Sequence, residues 1–260
     1  MKKILFTLMT LGLLTSLQAQ TDQPTPAEQG DTLLAARIID TYLRTIDFAP
    51  LLGDSMLCVE SYVVDRSHPE DTMKVYHWYM NNRRVRIEMW QDGMMQEGYY
   101  SDGKRLFRRF QNKVRAWQDI AQITFYEYTM PLDVRGALYD WRTKGAEVSY
   151  AGRFTLDNKA VHRIFVSSPK MFDRYYFFEV ESGLLFMLTE QEHIYGDGKP
   201  YKNAQRIDWR AWHEFTPFYG HLVPTIESYQ YDQSQIVITH RRYHFEAGQP
   251  KLFTEDYHKM

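Results

Sequence analysis

The feature that most constrains the fold of this 260-residue chain is a long succession of strand-like segments separated by very short turns. Aromatic and β-branched side chains are frequent in these segments, and such residues favour strands. Turn signals, among them Asp92-Gly93, Asp102-Gly103 and Asp157-Asn158-Lys159, join one segment to the next. Such tight turns make neighbouring strands antiparallel. The sequence therefore predicts a meander of about ten or eleven strands.

A single sheet of this width is expected to curve, because strands twist and wide open sheets curl. We therefore predict a mainly β protein of the α+β class, built on one strongly curved antiparallel sheet or incomplete barrel, with helices closing its open side. The first helix is predicted in DTLLAARIIDTYLRTID, with Asp31 as its cap and an apolar stripe at near-helical spacing. A second helix is predicted in PLDVRGALYDW, which Pro131 opens and in which Leu138 and Trp141 mark the buried side.

One hairpin, YYFFEVESGLLFML at residues 175–188, lacks the alternation of apolar and polar residues that is typical of a sheet with one solvated face. Its second face therefore needs a cover. One interpretation places that face in or beside an apolar concavity of the curved sheet, and the other is a conventional two-layer core without a cavity. The pattern leaves both interpretations open, and either alternate set of side chains in YYFFEV could face inward.

The N-terminus has the pattern of a secretory signal peptide. Two lysines precede an apolar run at residues 4–14, and Leu17-Gln18-Ala19 resembles a cleavage site. We predict a signal peptide at residues 1–19, a flexible linker at 20–30 and a single curved-sheet domain at 31–260. The apolar run is too short for a permanent anchor, and no later segment approaches membrane-spanning length. The mature protein is therefore expected in a bacterial periplasm, without a transmembrane anchor.

Composition and charge restrict the classes of function. Apolar residues make up 44% of the chain and charged residues 25%, as is typical of a globular protein. The net charge of −2 gives no electrostatic basis for a nucleic-acid partner. The single cysteine, Cys58, cannot form an internal disulfide, and its MLCVE context predicts a buried strand thiol. The basic residues between 104 and 115 are interpreted as a solvated strand face, with a cationic rim for an anionic partner as the alternative.

Motifs for catalysis and metal binding are absent from the sequence. It has no G-x-S-x-G elbow, no H-E-x-x-H and no glycine-rich phosphate loop. The spacing of His240 and His244 suits zinc on a helix, but IVITHRRYHF is predicted to be a strand, which would separate the two rings by about 13 Å. We therefore predict no metal, no cofactor and no enzyme activity. A hydrolase assembled from His213, His221 and Asp208 is the remaining catalytic alternative.

A set of segments carries a resemblance to a known family. In chain order these are AARIIDTYLRTI, RRVRIEMW, GYYSDGKRLFRRF, YAGRFTLDNKAVHRIFVSS, YYFFEVESGLLFMLTEQ and FYGHLVPTIESYQ. Together they resemble the LolA/LolB-like superfamily of bacterial outer-membrane lipoprotein-sorting proteins, over most of residues 31–247. The chain departs from that superfamily in its extra polar segments DRSHPEDT and YGDGKPYKN. The resemblance implies an incomplete, highly curved antiparallel barrel whose apolar interior receives lipid acyl chains.

Strand faces that lack charges supply the expected lining of such an interior. Burial of each methylene group contributes about 0.8 kcal/mol, so acyl chains would bind strongly in a dry groove. The predicted lining residues are Trp78, Met80, Val85, Ile87, Met89, Phe178, Leu185, Met187, Ile207, Trp209 and Ile238.

Two functions follow from this scaffold. The first is a non-catalytic periplasmic carrier that holds the acyl chains of a lipid or lipoprotein in its concave cavity. The alternative is a protein-interaction or stress-sensor module of the cell envelope, in which the concave face is filled by the protein's own side chains and the partner is another envelope protein.

Overall fold

Most of the expected domain is described by a computed structural model of the protein. The described residues are 30–46, 55–66, 68–80, 84–102, 105–110, 113–116, 138, 141–143, 145–167, 173–190, 207–231 and 235–253. The predicted signal peptide and most of the predicted linker lie outside these residues. No helix in this part of the chain is both long and apolar enough to cross a membrane.

A single antiparallel sheet of 13 strands forms the body of the protein. The strands are β1 (Ser55–Asp65), β2 (His68–Met80), β3 (Arg84–Gln91), β4 (Met94–Ser101), β5 (Leu106–Phe110), β6 (Lys113–Ala116), β7 (Glu147–Leu156), β8 (Lys159–Ser167), β9 (Arg174–Glu179), β10 (Leu185–Glu190), β11 (Ile207–Phe218), β12 (His221–Tyr231) and β13 (Gln235–Ala247).

Almost every strand pairs with its neighbours in the chain. The order across the sheet is β6-β5-β4-β3-β2-β1-β13-β12-β11-β10-β9-β8-β7, so the only non-consecutive pair in the described sheet is β1 with β13. The first and last strands meet at the centre, and β6 and β7 form the two edges, so the sheet is not closed into a barrel. The predicted mainly β curved sheet is confirmed. The 13 strands exceed the predicted ten or eleven, and the shortest of them, β5 and β6, have five and four residues.

The one α-helix in the described chain, α1 (Thr32–Ile46), forms where the sequence predicts it. The Asp31 carboxylate caps its first turn by accepting a hydrogen bond of 2.9 Å from the backbone N–H of Leu34. The apolar stripe is fully buried at Ala35, Ile39, Tyr42 and Ile46. The helix is therefore held by packing of one face on the sheet.

That packing creates a large apolar cluster, called here the helix-covered cluster. Its buried members come from α1 and from strands β7 to β11, and the ring of Tyr42 meets that of Phe178 edge-on at 5.3 Å. Leu138 and Trp141 are buried in the same cluster, as predicted for the second helix. Most of PLDVRGALYDW lies outside the described residues, so the second helix itself stays a prediction.

Both faces of the hairpin at residues 175–188 are covered. Tyr176 and Phe178 belong to the helix-covered cluster. Phe177 points to the opposite face, where it is buried in a smaller cluster of Leu156 and Val161 with Phe154, Tyr175, Phe186 and Met187 packed around it. This hairpin lacks alternation because the helix covers one face and aromatic neighbours cover the other.

The buried carboxylate of Glu88 lies at a point in the sheet where the neighbouring strand needs a glycine. Glu88 is buried on β3 and accepts hydrogen bonds from the guanidinium of Arg86 and, at 3.1 Å, from the indole of Trp90. Its cross-strand partner is Gly98, and the ring of Tyr100 folds over that glycine. Burial and the Glu88 charge raise the pKa of Tyr100 to about 12. A Cβ atom at position 98 would lie 2.8 Å from Cζ of this ring, so the site requires glycine.

Truncation in the helix stripe should test how α1 is held. We expect Ile39→Ala to lower the free energy of unfolding by about 2–5 kcal/mol, because it leaves a cavity in the helix-covered cluster. The matched control is Leu33→Ala on the exposed side of the same helix, where 78% of the residue is accessible to solvent. Urea unfolding followed by circular dichroism measures both, and equal losses would contradict the packing described.

Substitution of Gly98 should test the Tyr100 contact. We expect Gly98→Ala to destabilise the protein by about 1–3 kcal/mol, because the new methyl group displaces the Tyr100 ring. In a Tyr100→Ala background the same substitution should become neutral or stabilising, since alanine is better than glycine inside a strand. A double-mutant cycle of unfolding free energies measures the difference, and an unchanged cost in both backgrounds would count against the contact.

Candidate ligand-binding face

The strand registers assign side chains to two faces of the sheet. We call the face that carries α1 the helix face and the other the opposite face. On β3, Val85, Ile87 and Met89 pair with residues of β2 and β4 that share the helix face, while Arg86 and Glu88 lie on the opposite face. The segment RRVRIEMW alternates in sequence between charged and apolar residues, which predicts this division of faces, although Glu88 is buried rather than solvated.

Beyond the helix, the helix face continues as a second apolar cluster, called here the strand cluster. Its buried members are Leu57, Val59, Val75, Tyr79, Val85, Ile87, Tyr99 and Val223. Six further apolar residues pack against it and remain partly exposed: Val63, Met73, Met89, Phe218, Tyr243 and Phe245. All of these residues come from strands. The strand cluster therefore differs from the helix-covered cluster, to which α1 contributes directly.

Three charged residues lie on the helix face between the two clusters, one each on β11, β12 and β13. We call Arg210, Glu227 and Arg241 the charged strip. The Glu227 carboxylate accepts hydrogen bonds from Arg210, with N–O distances of 2.7 and 3.0 Å at one oxygen, and from Arg241 at 2.6 Å at the other. The Glu227 side chain is 2% exposed. Because a buried carboxylate is costly without partners, these guanidinium groups are what allow Glu227 to remain inside.

The charged strip departs from what the alternation of RIDWRAWHEF predicts. That pattern predicts one apolar face with Ile207, Trp209, Ala211 and Phe215, and places Arg210 on the other face with the remaining charged residues. Register shifts between β11 and β12 interrupt the alternation, and Phe215 packs instead with Trp212 in the helix-covered cluster. Arg210 lies two residues before Trp212 in an unshifted part of the register, so the two share the helix face, and the guanidinium is 5.2 Å from that ring. Bulges change the face of every later side chain, and the alternation pattern does not reveal them.

The predicted lining residues divide between the two faces. Val85, Ile87 and Met89 belong to the strand cluster, and Phe178 and Leu185 belong to the helix-covered cluster. These five share the helix face, and whether any of them contacts a ligand stays a prediction.

The other predicted lining residues lie elsewhere. Met80 is buried with the 3-10 helix Pro250–Phe253 on the opposite face, and Trp78 packs beside it. Met187 packs in the smaller cluster under the 175–188 hairpin, and the indole of Trp209 donates to Gln230 at 2.6 Å. Ile207 and Ile238 lie in β11 and β13, but their side chains are outside the described part. Sequence reasoning missed the remaining strand-cluster residues because cross-strand registers, not composition, bring them together.

A cavity of ligand-pocket size lies among the described residues of β1, β11, β12 and β13. Its volume is about 490 Å³, and its lining combines apolar and charged groups: Tyr62, Glu214, Thr225, Ile226, His240, Arg241 and Arg242. The Arg242 guanidinium lies 5.6 Å from the centre of the Tyr62 ring. This cavity has charged groups in its wall and draws on residues of the opposite face, so it differs from the apolar cavity predicted for acyl chains.

The register of β11 and β12 tests the alternative of a hydrolase assembled from His213, His221 and Asp208. His213 Nε2 lies 2.6 Å from the Ser228 hydroxyl, whereas His221 pairs with Phe218 at the far end of the hairpin. The two histidines are therefore about 17 Å apart along the strands. The side chain of Asp208 is outside the described part. The structure does not bring His213 and His221 together as a hydrolase would need.

Basic residues in β5 and directly before it are engaged locally. Arg108 pairs with Glu97, and its guanidinium lies over the rings of Tyr99 and Phe110 at 6.0 and 5.4 Å. Arg105 bonds to Asp102 in the preceding turn. These contacts favour the interpretation of this segment as a strand face over that of a dedicated anion site.

Sequence comparisons give no family assignment: no family model matches the chain, and no curated protein is similar to it in sequence. Comparison of structures gives a consistent fold. A LolA superfamily protein of Nitrosomonas europaea superposes with a TM-score of 0.57 at 10% identity, covering 86% of this chain and 98% of that one. An outer-membrane lipoprotein-sorting protein domain of Vibrio parahaemolyticus gives 0.56 at 8% identity, with coverage of 88% and 100%.

A DUF1329 family protein of Desulfovibrio piger gives a TM-score of 0.54 at 8% identity, with 85% of this chain and 98% of that one covered. The chain therefore has the fold of LolA-superfamily proteins, and the resemblance drawn from its sequence is confirmed at the level of the fold.

Neutralisation of Glu227 should show the cost of leaving two buried arginines with one partner fewer. We expect Glu227→Gln to destabilise the protein by about 3–5 kcal/mol. The control is Asp40→Asn, which removes a bidentate pair with Arg142 on the surface, where the loss should stay within about 1 kcal/mol. Urea unfolding at neutral pH measures both variants. If Glu227→Gln lowers the free energy of unfolding no more than the control does, the two arginines do not depend on Glu227 as their buried partner.

Proposed function

We propose that the protein is a non-catalytic lipid- or lipoprotein-binding carrier of the bacterial periplasm, which holds acyl chains against the helix face. In this proposal residues 1–19 are a cleaved signal peptide, residues 20–30 a linker and residues 31–260 one domain. The fold shared with LolA-superfamily proteins and with a lipoprotein-sorting domain supports the proposal at its coarsest level.

The observation that carries the proposal is the strand cluster. It offers apolar side chains from seven strands on one face, and its outer members, such as Met73, Met89 and Phe245, are only partly buried. An acyl chain laid on this cluster would remove both its own surface and that of these residues from water. Since each buried methylene contributes about 0.8 kcal/mol, a chain with a dozen methylenes in contact would bind without any specific polar contact.

The 490 Å³ cavity is a poorer candidate for the acyl chain. Its wall includes Glu214, Arg241 and Arg242, and an alkyl chain there would have to remove charged groups from water without offering them hydrogen bonds. The strand cluster imposes no such cost at its centre. We therefore propose that the acyl chain binds at the strand cluster rather than in the cavity.

The alternative is an envelope protein-interaction or sensor module on the same scaffold. The observation in its favour is that the eight central residues of the strand cluster are already at most 8% exposed. A face filled by the protein's own side chains would leave recognition to its rim or to another surface. The two proposals therefore differ in whether the strand cluster exchanges its present contacts for those of a ligand.

Native mass spectrometry of the protein purified from a bacterial periplasm separates these proposals. We expect copurified lipid, and uptake of a fluorescent fatty acid by the delipidated protein. A protein that carries no lipid and takes up no probe, but retains a stable envelope protein through purification, would favour the interaction module and defeat the carrier.

A matched pair of methionine substitutions should show where the acyl chain binds. We expect Met89→Gln in the strand cluster to weaken binding of the fluorescent fatty acid about 5–10-fold, the effect of roughly one to two lost methylene contacts. Met187→Gln changes an equally partly buried methionine on the opposite face and should leave the affinity unchanged. Fluorescence titration measures both, and equal effects would remove the strand cluster as the binding surface.

A further inference from the structure

The pairing of β1 with β13 brings three metal-ligating side chains to one place on the opposite face. Cys58 stands directly across from His244, and Glu246 lies two residues further along β13 on the same face. One ligand atom from each of the three lies within 4.8 Å of the others. The His244 Nε2 and Glu246 Oε1 atoms are already 3.0 Å apart. This cluster lies outside the helix face and takes no part in the proposed carriage of acyl chains.

We propose that Cys58, His244 and Glu246 form a binding site for a divalent transition metal, with Zn²⁺ as the expected ion. Zinc accepts thiolate sulfur, imidazole nitrogen and carboxylate oxygen in a single tetrahedral shell. The carboxylate argues against Cu(I), which prefers soft sulfur ligands, and the thiolate argues against Mg²⁺ and Ca²⁺, which prefer oxygen.

The geometry requires only a small adjustment. Zinc–ligand bonds of about 2.3 Å to sulfur and 2.0 Å to nitrogen, at a tetrahedral angle, place those two ligand atoms about 3.5 Å apart. Since no two of the three ligand atoms are more than 4.8 Å apart, the sulfur has to approach the other two by little more than about 1 Å. The side chains of His244 and Glu246 are 52% and 42% exposed and can change rotamer without disturbing the core.

Cys58 provides the fixed part of the site. It is 3% exposed and packs in a cluster with Met56, Met80 and Phe253, which holds the thiol at the floor of the site. His244 and Glu246 form the open side, through which the ion enters. Three protein ligands leave a fourth tetrahedral position on that open side for water. On binding, the ion replaces the thiol proton, which passes to solvent.

The spacing of these residues in the sequence does not indicate a metal site. Cys58 and His244 are 186 positions apart and meet only through the strand register. The spacing of His240 and His244 draws attention to the wrong pair, because those two histidines are separated along one strand. His240 shares the face and the strand of His244 but pairs with Tyr62 of β1, so it supplies an internal control.

The test uses the full chain in metal-free buffer, with Zn²⁺ and Co²⁺ as the probes. We expect one Zn²⁺ per molecule in isothermal titration calorimetry. With Co²⁺ we expect visible d–d bands of a tetrahedral site and a near-ultraviolet sulfur-to-metal charge-transfer band. Cys58→Ser should abolish the charge-transfer band and weaken Zn²⁺ binding at least 100-fold. His244→Ala should weaken it to a similar extent, while His240→Ala should bind as the parent protein does.

Circular dichroism confirms that each variant is folded. If Cys58→Ser fails to fold, His244→Ala and Glu246→Gln still decide the matter, because both change exposed side chains. Absence of stoichiometric Zn²⁺ binding would overturn the proposal. Equal loss of affinity in the His240→Ala and His244→Ala variants, or Co²⁺ spectra without a sulfur band, would do the same, since either result means that surface histidines alone hold the ion.

Discussion

The pairing of β1 with β13 joins the two halves of the chain into one sheet. All eleven residues of β1 have a registered partner on β13, so the first and last strands of the meander become neighbours at the centre of one sheet. Without this pairing the chain would form two smaller antiparallel sheets with four edges. With it, the strand cluster spans both halves, and Cys58 meets His244.

The helix face combines two unlike surfaces because a single helix covers only part of it. α1 seals the strands from β7 to β11, whereas the strand cluster is built from strands alone. Glu227 on β12 lies between the two clusters. Its hydrogen bonds to Arg210 on β11 and Arg241 on β13 are directional and fix the registers of these three strands. A face that is apolar, only partly sealed and rigid at its centre is suited to hold flexible hydrocarbon, and this is the basis of the proposed carrier function.

Local features were predictable where one residue or one period decides them. Asp31 caps α1 as expected, and Val85, Ile87 and Met89 share one face because β3 has a strict period of two up to its bulge. The lining residues were less predictable. Trp78 and Met80 are uncharged like the strand-cluster residues, but they lie on the opposite face, because the sequence shows alternation within a strand and not which set faces the helix.

The sequence by itself determined the antiparallel meander, the position of α1 and the class of fold, because turns, caps and alternation act over a few residues. Only the folded arrangement shows which faces merge, that Arg210 and Trp212 rather than Trp209 and Ala211 face the helix, and that Cys58 comes to lie beside His244 and Glu246. These outcomes depend on pairing between strands at opposite ends of the chain. The free energy of such pairing comes from registers and packing that no short stretch of sequence contains.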